Sequence, residues 1–312
     1  VEGFATGLKI QSVLGEGFTA ELGARASLAD KQLNGDFTLS RSNGRSTIRA
    51  TAYRRLDVVT DWGTPLGFGA SLASLLYARD EGAYDRAWGA ELAGTHPHLG
   101  TLSWRLFAEQ QWSADVHSRW TVFGGGNDSR FLSNPHAQQA RELGLALRVH
   151  SSAGLDPEGF RFLFDVRAEG AGGDFSYARG LFDAALSRAI GRHLAGSVTA
   201  SAGYSSGIVP VQRLFYLGGS QTVRGQTALT TRGDAFWLAR AELGSGGVRT
   251  RFVGFGDVGW AGDRHDFSRP GRPLSGAGIG SSFLDGLIRL DLARGLYPAR
   301  QWRFDMYLDA KF

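Results

Sequence analysis

Apolar and polar residues alternate with a period of two along almost the whole chain. The last segment shows the pattern most cleanly, because Phe304, Met306, Leu308 and Phe312 alternate with charged and hydroxyl-bearing residues. Successive side chains of a strand point to opposite faces, so this period indicates strands with one apolar and one polar face. No segment shows a convincing helical period. The sequence therefore predicts an all-β fold.

The alternating segments number about sixteen, an even count that is typical of bacterial membrane barrels. They cover approximately 2–13, 17–28, 32–42, 45–55, 65–78, 84–95, 100–112, 138–150, 158–170, 175–187, 192–204, 233–243, 247–259, 273–283, 286–294 and 302–312. Most are about ten residues or longer, which is enough for a tilted strand to cross a bilayer. Strands of soluble proteins average only about five or six residues.

The composition argues against several other classes of protein. The 312 residues include no Cys, which excludes disulfides and thiol chemistry. The net charge of +4 comes without a basic run, so nucleic acid is not an expected partner. No stretch of about 18 apolar residues predicts a membrane-spanning helix. No signal peptide is expected at the start, where Val1–Phe4 already suits folded structure.

These features together favour a closed barrel in a membrane. An all-strand chain in lipid must close on itself, because open sheet edges cannot be hydrated there. The apolar face would contact lipid, and the polar face would line the lumen. Tryptophans cluster near segment ends, as an aromatic girdle would. We predict a single domain, 1–312, that forms a closed antiparallel transmembrane β-barrel without a soluble domain.

The gaps between segments suggest how such a barrel is oriented. The long gaps 113–137, 205–232 and 260–272 follow the seventh, eleventh and thirteenth predicted segments. All three ordinals are odd, so the long connections would lie at one rim and the tight turns at the other. In outer-membrane barrels the tight turns face the periplasm, which predicts periplasmic N- and C-termini.

The gap 205–232 contains a glycine-rich stretch with a single cation at its centre. Gly218 and Gly219 precede Val223, Arg224 and Gly225. A connection that was only solvated would not need a glycine pair, aromatic residues and a lone arginine in this order. The environment of Arg224 is therefore the main question that this stretch raises.

These residues resemble the loop-six motif of the Omp85 superfamily, which includes outer-membrane assembly factors, two-partner secretion transporters and surface-antigen barrels. A second motif of that superfamily matches Phe255, Asp257 and Gly259 on the thirteenth segment. The terminal Phe312, preceded by apolar residues at alternate positions (Phe304, Met306, Leu308), resembles the C-terminal signal of barrels inserted by the assembly machinery. The resemblance covers the whole chain as architecture and about its last hundred residues as motifs.

The resemblance implies that loop six folds back into the lumen. Arg224 would then be buried, and a buried cation needs charged partners. We predict that Arg224 pairs first with Asp257 and second with Glu242, which face the same lumen. The superfamily usually has an aromatic residue where this chain has Gln226, so a weaker contact between loop and wall is expected. Residues 303–312 contain no glycine to kink the last strand and loosen its pairing with the first.

The resemblance also implies a function in the outer membrane of a Gram-negative bacterium. Members insert, assemble or translocate polypeptides, so the expected partners are lipid, lipopolysaccharide, client polypeptides and an N-terminal periplasmic module. No POTRA domain, the usual periplasmic module, is expected within this sequence. The alternatives are a barrel that anchors or displays a fused enzyme, a passive porin, and an outer-membrane phospholipase.

Enzyme-like patterns are present but lack a suitable setting. Gly203–Gly207 fits a nucleophile elbow only formally, because no helix follows it. Gly276–Gly280 leads into a strand and is not expected to bind phosphate. The histidine and aspartate sets (His96 with His98; His117 and His136 with Asp115 and Asp128) fit no common metal-ligand spacing. We predict no catalytic residues, no cofactor and no metal.

Overall fold

A computed structural model describes most of the chain. The described residues are 1–63, 65–66, 71, 74–75, 80–97, 100–117, 121–122, 131–154, 159–245, 250–283 and 288–308. Within these ranges, no helix has the length and apolar character needed to cross a membrane. Strands dominate the described residues, which confirms the predicted all-β class.

The structure consists of one large antiparallel sheet and one small ribbon. The strands are β1 (Ala5–Gly15), β2 (Phe18–Ser27), β3 (Leu33–Ser42), β4 (Thr47–Val58), β5 (Tyr84–Pro97), β6 (Thr101–Ser113), β7 (Ala140–Ala153), β8 (Arg161–Gly173), β9 (Tyr177–Ile190), β10 (Leu194–Gly207), β11 (Phe215–Leu217), β12 (Thr231–Gly233), β13 (Ala235–Ser245), β14 (Thr250–Gly262), β15 (Leu274–Phe283), β16 (Ile288–Tyr297) and β17 (Trp302–Leu308). Fifteen of them form the sheet, in which neighbours along the chain pair with one another. β11 and β12 form the separate ribbon, so β10 pairs directly with β13.

The sheet has no strand between β4 and β5, where the sequence predicted one over 65–78. β4 pairs directly with β5, from Thr47 opposite Thr95 to Val58 opposite Tyr84. The other edges of these two strands pair with β3 and β6. The prediction is wrong because this pairing leaves no free edge between β4 and β5. Most of 65–78 lies outside the described residues.

Without that strand, β1 to β4 run in the opposite direction to the one that the sixteen predicted segments imply. The long connections 59–83, 114–139, 208–234 and 263–273 follow β4, β6, β10 and β14, and they all lie at one end of the sheet. β1 begins at this end, whereas β17 ends at the opposite, short-turn end. The prediction that both chain ends share a rim is therefore wrong for these strands, because it counted one strand too many.

The two faces of the sheet differ in chemistry. We call the face that carries Glu109, Asp165 and Asp257 the polar face; these three carboxylates are buried. The opposite, apolar face exposes large hydrophobic side chains, among them Leu8, Ile10, Leu22, Phe37, Leu106, Leu143, Leu145, Val166, Phe182, Leu186, Val198, Leu243, Phe252, Ile279, Leu292 and Phe304. An exposed apolar surface of this extent marks a region that contacts an apolar medium or partner.

The connection 208–234 lies against the polar face. Phe215, Leu217 and Val223 from this connection are buried in one apolar cluster. Phe236 and Leu238 of β13 belong to the same cluster, and Phe215 lies 4.7 Å from Phe236 between ring centroids. This apolar packing brings the glycine-rich stretch onto the charged residues of β13 and β14.

Candidate functional site

Three glycines close the tip of the connection 208–234. We call residues 218–226 the loop tip. Gly218, Gly219 and Gly225 have φ values of +117°, +93° and +85°, which residues with a side chain rarely adopt. The Gly219 N–H donates to the carbonyl oxygen of Gln226 at 3.1 Å and joins the two ends of the tip.

Arg224 of the loop tip is completely buried and holds Asp257 of β14 with two guanidinium nitrogens. Nε donates to Oδ2 at 2.7 Å, and Nη2 donates to Oδ1 at 2.7 Å. The backbone N–H of Arg224 donates to Oδ2 at 3.0 Å. Nη1 donates to Oε1 of Glu242 on β13 at 2.5 Å. Such forked, charge-assisted hydrogen bonds compensate the cost of burying a guanidinium.

A second arginine positions the carboxylate that Arg224 shares. Arg289 of β16 donates to both carboxylate oxygens of Glu242, at 3.0 and 3.1 Å. Its Nε donates to Oδ1 of Asp291 at 2.8 Å, and Tyr307 of β17 donates to Oδ2 of Asp291 at 2.6 Å. The contacts of the loop tip thereby extend to residues of four strands: β13, β14, β16 and β17.

A third arginine ties the loop tip to the same carboxylates. Arg240 of β13 donates to Asp257 Oδ1 at 3.5 Å and to the backbone carbonyl oxygen of Gln221 at 3.0 Å. We call the whole set the Arg224 network: Arg224, Arg240, Arg289, Glu242, Asp257, Asp291 and Tyr307. Its three arginines face three carboxylates, so its formal charges cancel.

Each residue of the Phe255, Asp257 and Gly259 motif contacts the connection 208–234. The guanidinium of Arg224 lies 3.6 Å from the centroid of the Phe255 ring, close enough for a cation–π contact. A Cβ on Gly259 would lie 3.2 Å from Cδ1 of Leu217, so the absence of a side chain there makes room for β11. The spacing of two places all three residues on the polar face of β14.

Gln226 is also completely buried, and it binds the wall by hydrogen bonds. Its Nε2 donates to the carbonyl oxygens of Ser275 at 3.0 Å and of Ala299 at 3.1 Å. The Ala299 N–H donates to Oε1 of Gln226 at 3.4 Å. The expectation of a weak contact at this position is therefore wrong, because an amide satisfies backbone groups that an aromatic ring would leave unpaired.

The substitution Gln226→Ala should lower the free energy of unfolding by about 1–3 kcal/mol, because it removes the hydrogen bonds of the buried Gln226 amide to the backbone of Ser275 and Ala299. Urea titration of the folded protein in lipid vesicles measures this change. Gln301→Ala is the matched control, since the exposed Gln301 makes one hydrogen bond to Thr227. Equal stability of the two variants would contradict the assigned role of Gln226.

Sequence reasoning missed a second anchor at the start of the connection. Nη2 of Arg213 donates to Oε1 of Glu109 on β6 at 2.8 Å, and Nε lies 3.5 Å from Oε1 of Glu169 on β8. The neighbouring Gln212 donates to Oε1 of Gln111 at 2.8 Å. Glu109, Gln111 and Glu169 are polar residues at alternate positions of strands, which signals a polar face without identifying the partner.

A third anchor comes from the connection 59–83. Glu81 accepts hydrogen bonds from the N–H and the Oγ of Ser220, both at 2.7 Å, and also pairs with Arg303 of β17. Burial raises the pKa of Glu81 above its ordinary value, although the charge of Arg303 opposes this shift. Trp62 donates to the Tyr216 carbonyl oxygen at 3.1 Å. The connection 59–83 thus holds the loop tip as well, at Ser220.

No protein-family model and no curated protein matches the chain. Among solved structures, BamA from Haemophilus ducreyi lacking POTRA domains 1–3 is similar with a TM-score of 0.67 and 12% identity, covering 98% of this chain and 66% of that one. CdiB from Escherichia coli is similar with a TM-score of 0.54 and 16% identity, covering 97% of this chain and 58% of that one.

The chain shares the fold of these two structures. The similarity to BamA and CdiB extends over nearly the whole of this chain, while the chain spans about two thirds or less of each of those structures. Within this fold, the connection 208–234 is the segment whose sequence resembles loop six. The Arg224 network is where it meets the strands β13, β14, β16 and β17.

Three residues of the predicted C-terminal signal, Phe304, Met306 and Leu308, lie on the last described strand, β17. Phe304 is exposed on the apolar face of β17, and Met306 is partly exposed. Leu308 ends β17, with its backbone opposite Ile288. Phe312 lies outside the described residues. Phe304 and Met306 therefore belong to the apolar face.

Several residues of the enzyme-like patterns lie among the described residues. Ser205, within Gly203–Gly207, is buried on β10, where its N–H donates to the carbonyl oxygen of Asp234. His96 contacts Ser46 at 2.6 Å, and His136 contacts Ser113 at 3.3 Å. Among the described residues, no group of three potential ligands is arranged to hold a metal. His98 and Asp128 lie outside them.

Proposed function

We propose that the chain is the barrel of an outer-membrane protein that inserts, assembles or translocates polypeptides. The similarity of its fold to BamA and CdiB supports this proposal, as does the match of its two internal motifs to the Omp85 superfamily. In this account the apolar face contacts lipid and, in the outer leaflet, lipopolysaccharide. The polar face lines a lumen that client polypeptides approach.

The proposed barrel closes between β1 and β17, the two edge strands of the described sheet. Because backbone groups cannot stay unpaired in lipid, the N–H and C=O groups at the edges of β1 and β17 must form hydrogen bonds when the protein is in a membrane. The long connections would face outward and the short turns the periplasm. β17 then ends at the periplasmic rim, and β1 begins at the outer rim.

The observation that carries the proposal is the complete burial of Arg224 on the polar face. An open pore needs a clear lumen, whereas here the loop tip is fixed across the polar face by Asp257 and Glu242. The loop tip therefore blocks passive flow in the proposed resting state. It also leaves a defined element that a client or a periplasmic module can displace.

Single-channel recording in planar bilayers separates this proposal from a passive porin. We expect a low conductance from the unaltered chain and larger, fluctuating currents from Arg224→Ala, because the substitution releases the loop tip. Lys9→Ala is the control, since Lys9 forms an exposed ion pair with Glu21 on the strands β1 and β2. A large, steady conductance that Arg224→Ala leaves unchanged would favour the porin.

A further inference from the structure

A shallow groove crosses the apolar face from β9 to β14. Small residues form its floor and branched apolar residues its walls: Gly196, Ala241, Gly254 and Gly256 below, and Leu186, Ile190, Val198 and Leu243 beside them. The groove encloses about 520 Å³. A Cβ on Gly256 would have no atom within 4 Å, and the nearest atom at Gly254 would be 4.0 Å away. The floor is therefore open at Gly254 and Gly256, whereas the Ile190 side chain covers Gly196, with its Cδ1 2.9 Å from where a Cβ would lie.

A guanidinium marks one end of this groove. Arg188 of β9 lines it and lies on the apolar face, opposite Gly196 of β10. The side chain is exposed, and no hydrogen bond, ion pair or ring contact joins it to another residue in the described ranges. Arg192 and His193 lie just beyond, in the exposed turn between β9 and β10.

A lone cation on a lipid-facing wall needs an anion nearby. Burial of an unpaired guanidinium in hydrocarbon is costly, and long basic side chains near a strand end extend towards the headgroup region. Arg188 lies close to the short-turn rim, because its strand ends two residues later at Ile190. A lipid phosphate is the anion available at that depth.

We infer that the groove binds one phospholipid, with its phosphate at Arg188 and an acyl chain along the small-residue floor. The inference rests on the proposed placement of the apolar face in a membrane. The lining supports this occupant because it combines a single cationic end with an otherwise apolar channel. A flexible acyl chain can fill an open floor such as the one at Gly254 and Gly256.

Native mass spectrometry of the full chain, titrated with phosphatidylglycerol in detergent, tests the site. Arg188→Gln should weaken the first binding step by about fivefold, as loss of one cation near a lipid headgroup implies. Gly256→Leu should abolish that step by filling the groove. Because Gly256 has free space around it, this substitution should leave the fold intact.

Two control variants change similar residues elsewhere on the apolar face. Arg41→Gln removes a guanidinium that stacks on Phe18, 5.1 Å from the ring centroid. Gly170→Leu adds a side chain where the nearest atom to a Cβ would be 3.7 Å away. Both controls should bind the first phosphatidylglycerol as the unaltered chain does. Heat-modifiable migration on a denaturing gel reports that each variant is folded.

Two results would overturn the inference. One is a first binding step that is the same in all variants. The other is a protein dimer that Gly256→Leu disrupts, because the groove would then belong to a second copy of the chain. Flotation with liposomes distinguishes failure of the lipid site from failure of the proposed function. A chain that does not float with liposomes would contradict both proposals. A porin-like conductance would overturn only the proposed function, provided that the lipid measurements follow the expected pattern.

Discussion

Replacing Arg224 by Met should lower the free energy of unfolding by about 3–5 kcal/mol, because the buried Asp257 and the partly buried Glu242 would lose their shared cation. Met keeps an apolar contact with Phe255, so the change removes charge and donors more than volume. Urea titration in lipid vesicles measures the difference. Lys9→Met, at an exposed ion pair, should leave the free energy of unfolding close to that of the unaltered chain.

A charge exchange separates this ion pair from a general packing defect. Arg224→Asp should impair folding at least as strongly as Arg224→Met, since it brings three carboxylates together. Adding Asp257→Arg to the same chain should restore part of the stability, because the pair is re-formed with its polarity reversed. The double-mutant cycle gives the coupling energy directly. If the second substitution adds its full cost without any recovery, the two residues do not act as a pair.

Gly276→Ala should displace the loop tip from the sheet. A Cβ on Gly276 would lie 1.9 Å from the carbonyl oxygen of Arg224. The three nearest atoms all belong to the backbone, so no side chain can rotate away to relieve the clash. The expected cost is at least about 1–3 kcal/mol, the usual range for overpacking. Urea titration measures the cost, and larger single-channel currents would show that the tip has moved.

Gly256→Ala supplies the matched control for this substitution. Gly256 lies on β14, opposite Ala277 and next to Gly276 in the pairing of β14 with β15. Its methyl group would meet no atom within 4 Å, so stability and conductance should stay close to those of the unaltered chain. Equal behaviour of Gly276→Ala and Gly256→Ala would show that the loop tip does not lie over Gly276.

Alternation of side chains carries most of what the sequence reveals about this fold. It assigns Asp165 and Asp257 to the polar face and Val166 and Leu243 to the apolar face, as the structure has them. The same reasoning fails at 65–78, where apolar residues suit a strand but β4 and β5 have no free edge between them. Pairing between strands is not encoded in the period of a single segment.

The candidate site, too, can be predicted from the sequence only in part. Arg224 and its two carboxylates can be linked from the sequence, because a motif supplies the cation and alternation gives the face of each acid. The anchors from Glu81 and Arg213 cannot, since their partners lie 139 and 104 residues away along the chain. Gln226 shows a further limit: an amide and an aromatic ring can occupy one position with different chemistry.

Cysteine labelling in the membrane-inserted protein tests the burial of the loop tip most directly. The chain has no native Cys, so Val223→Cys introduces a unique thiol at a completely buried position. We expect it to resist a water-soluble maleimide until Arg224→Ala is added, while Ile208→Cys, 71% exposed in the same connection, reacts in both backgrounds. If Val223→Cys reacted as fast as Ile208→Cys with Arg224 in place, the loop tip would not be anchored on the polar face.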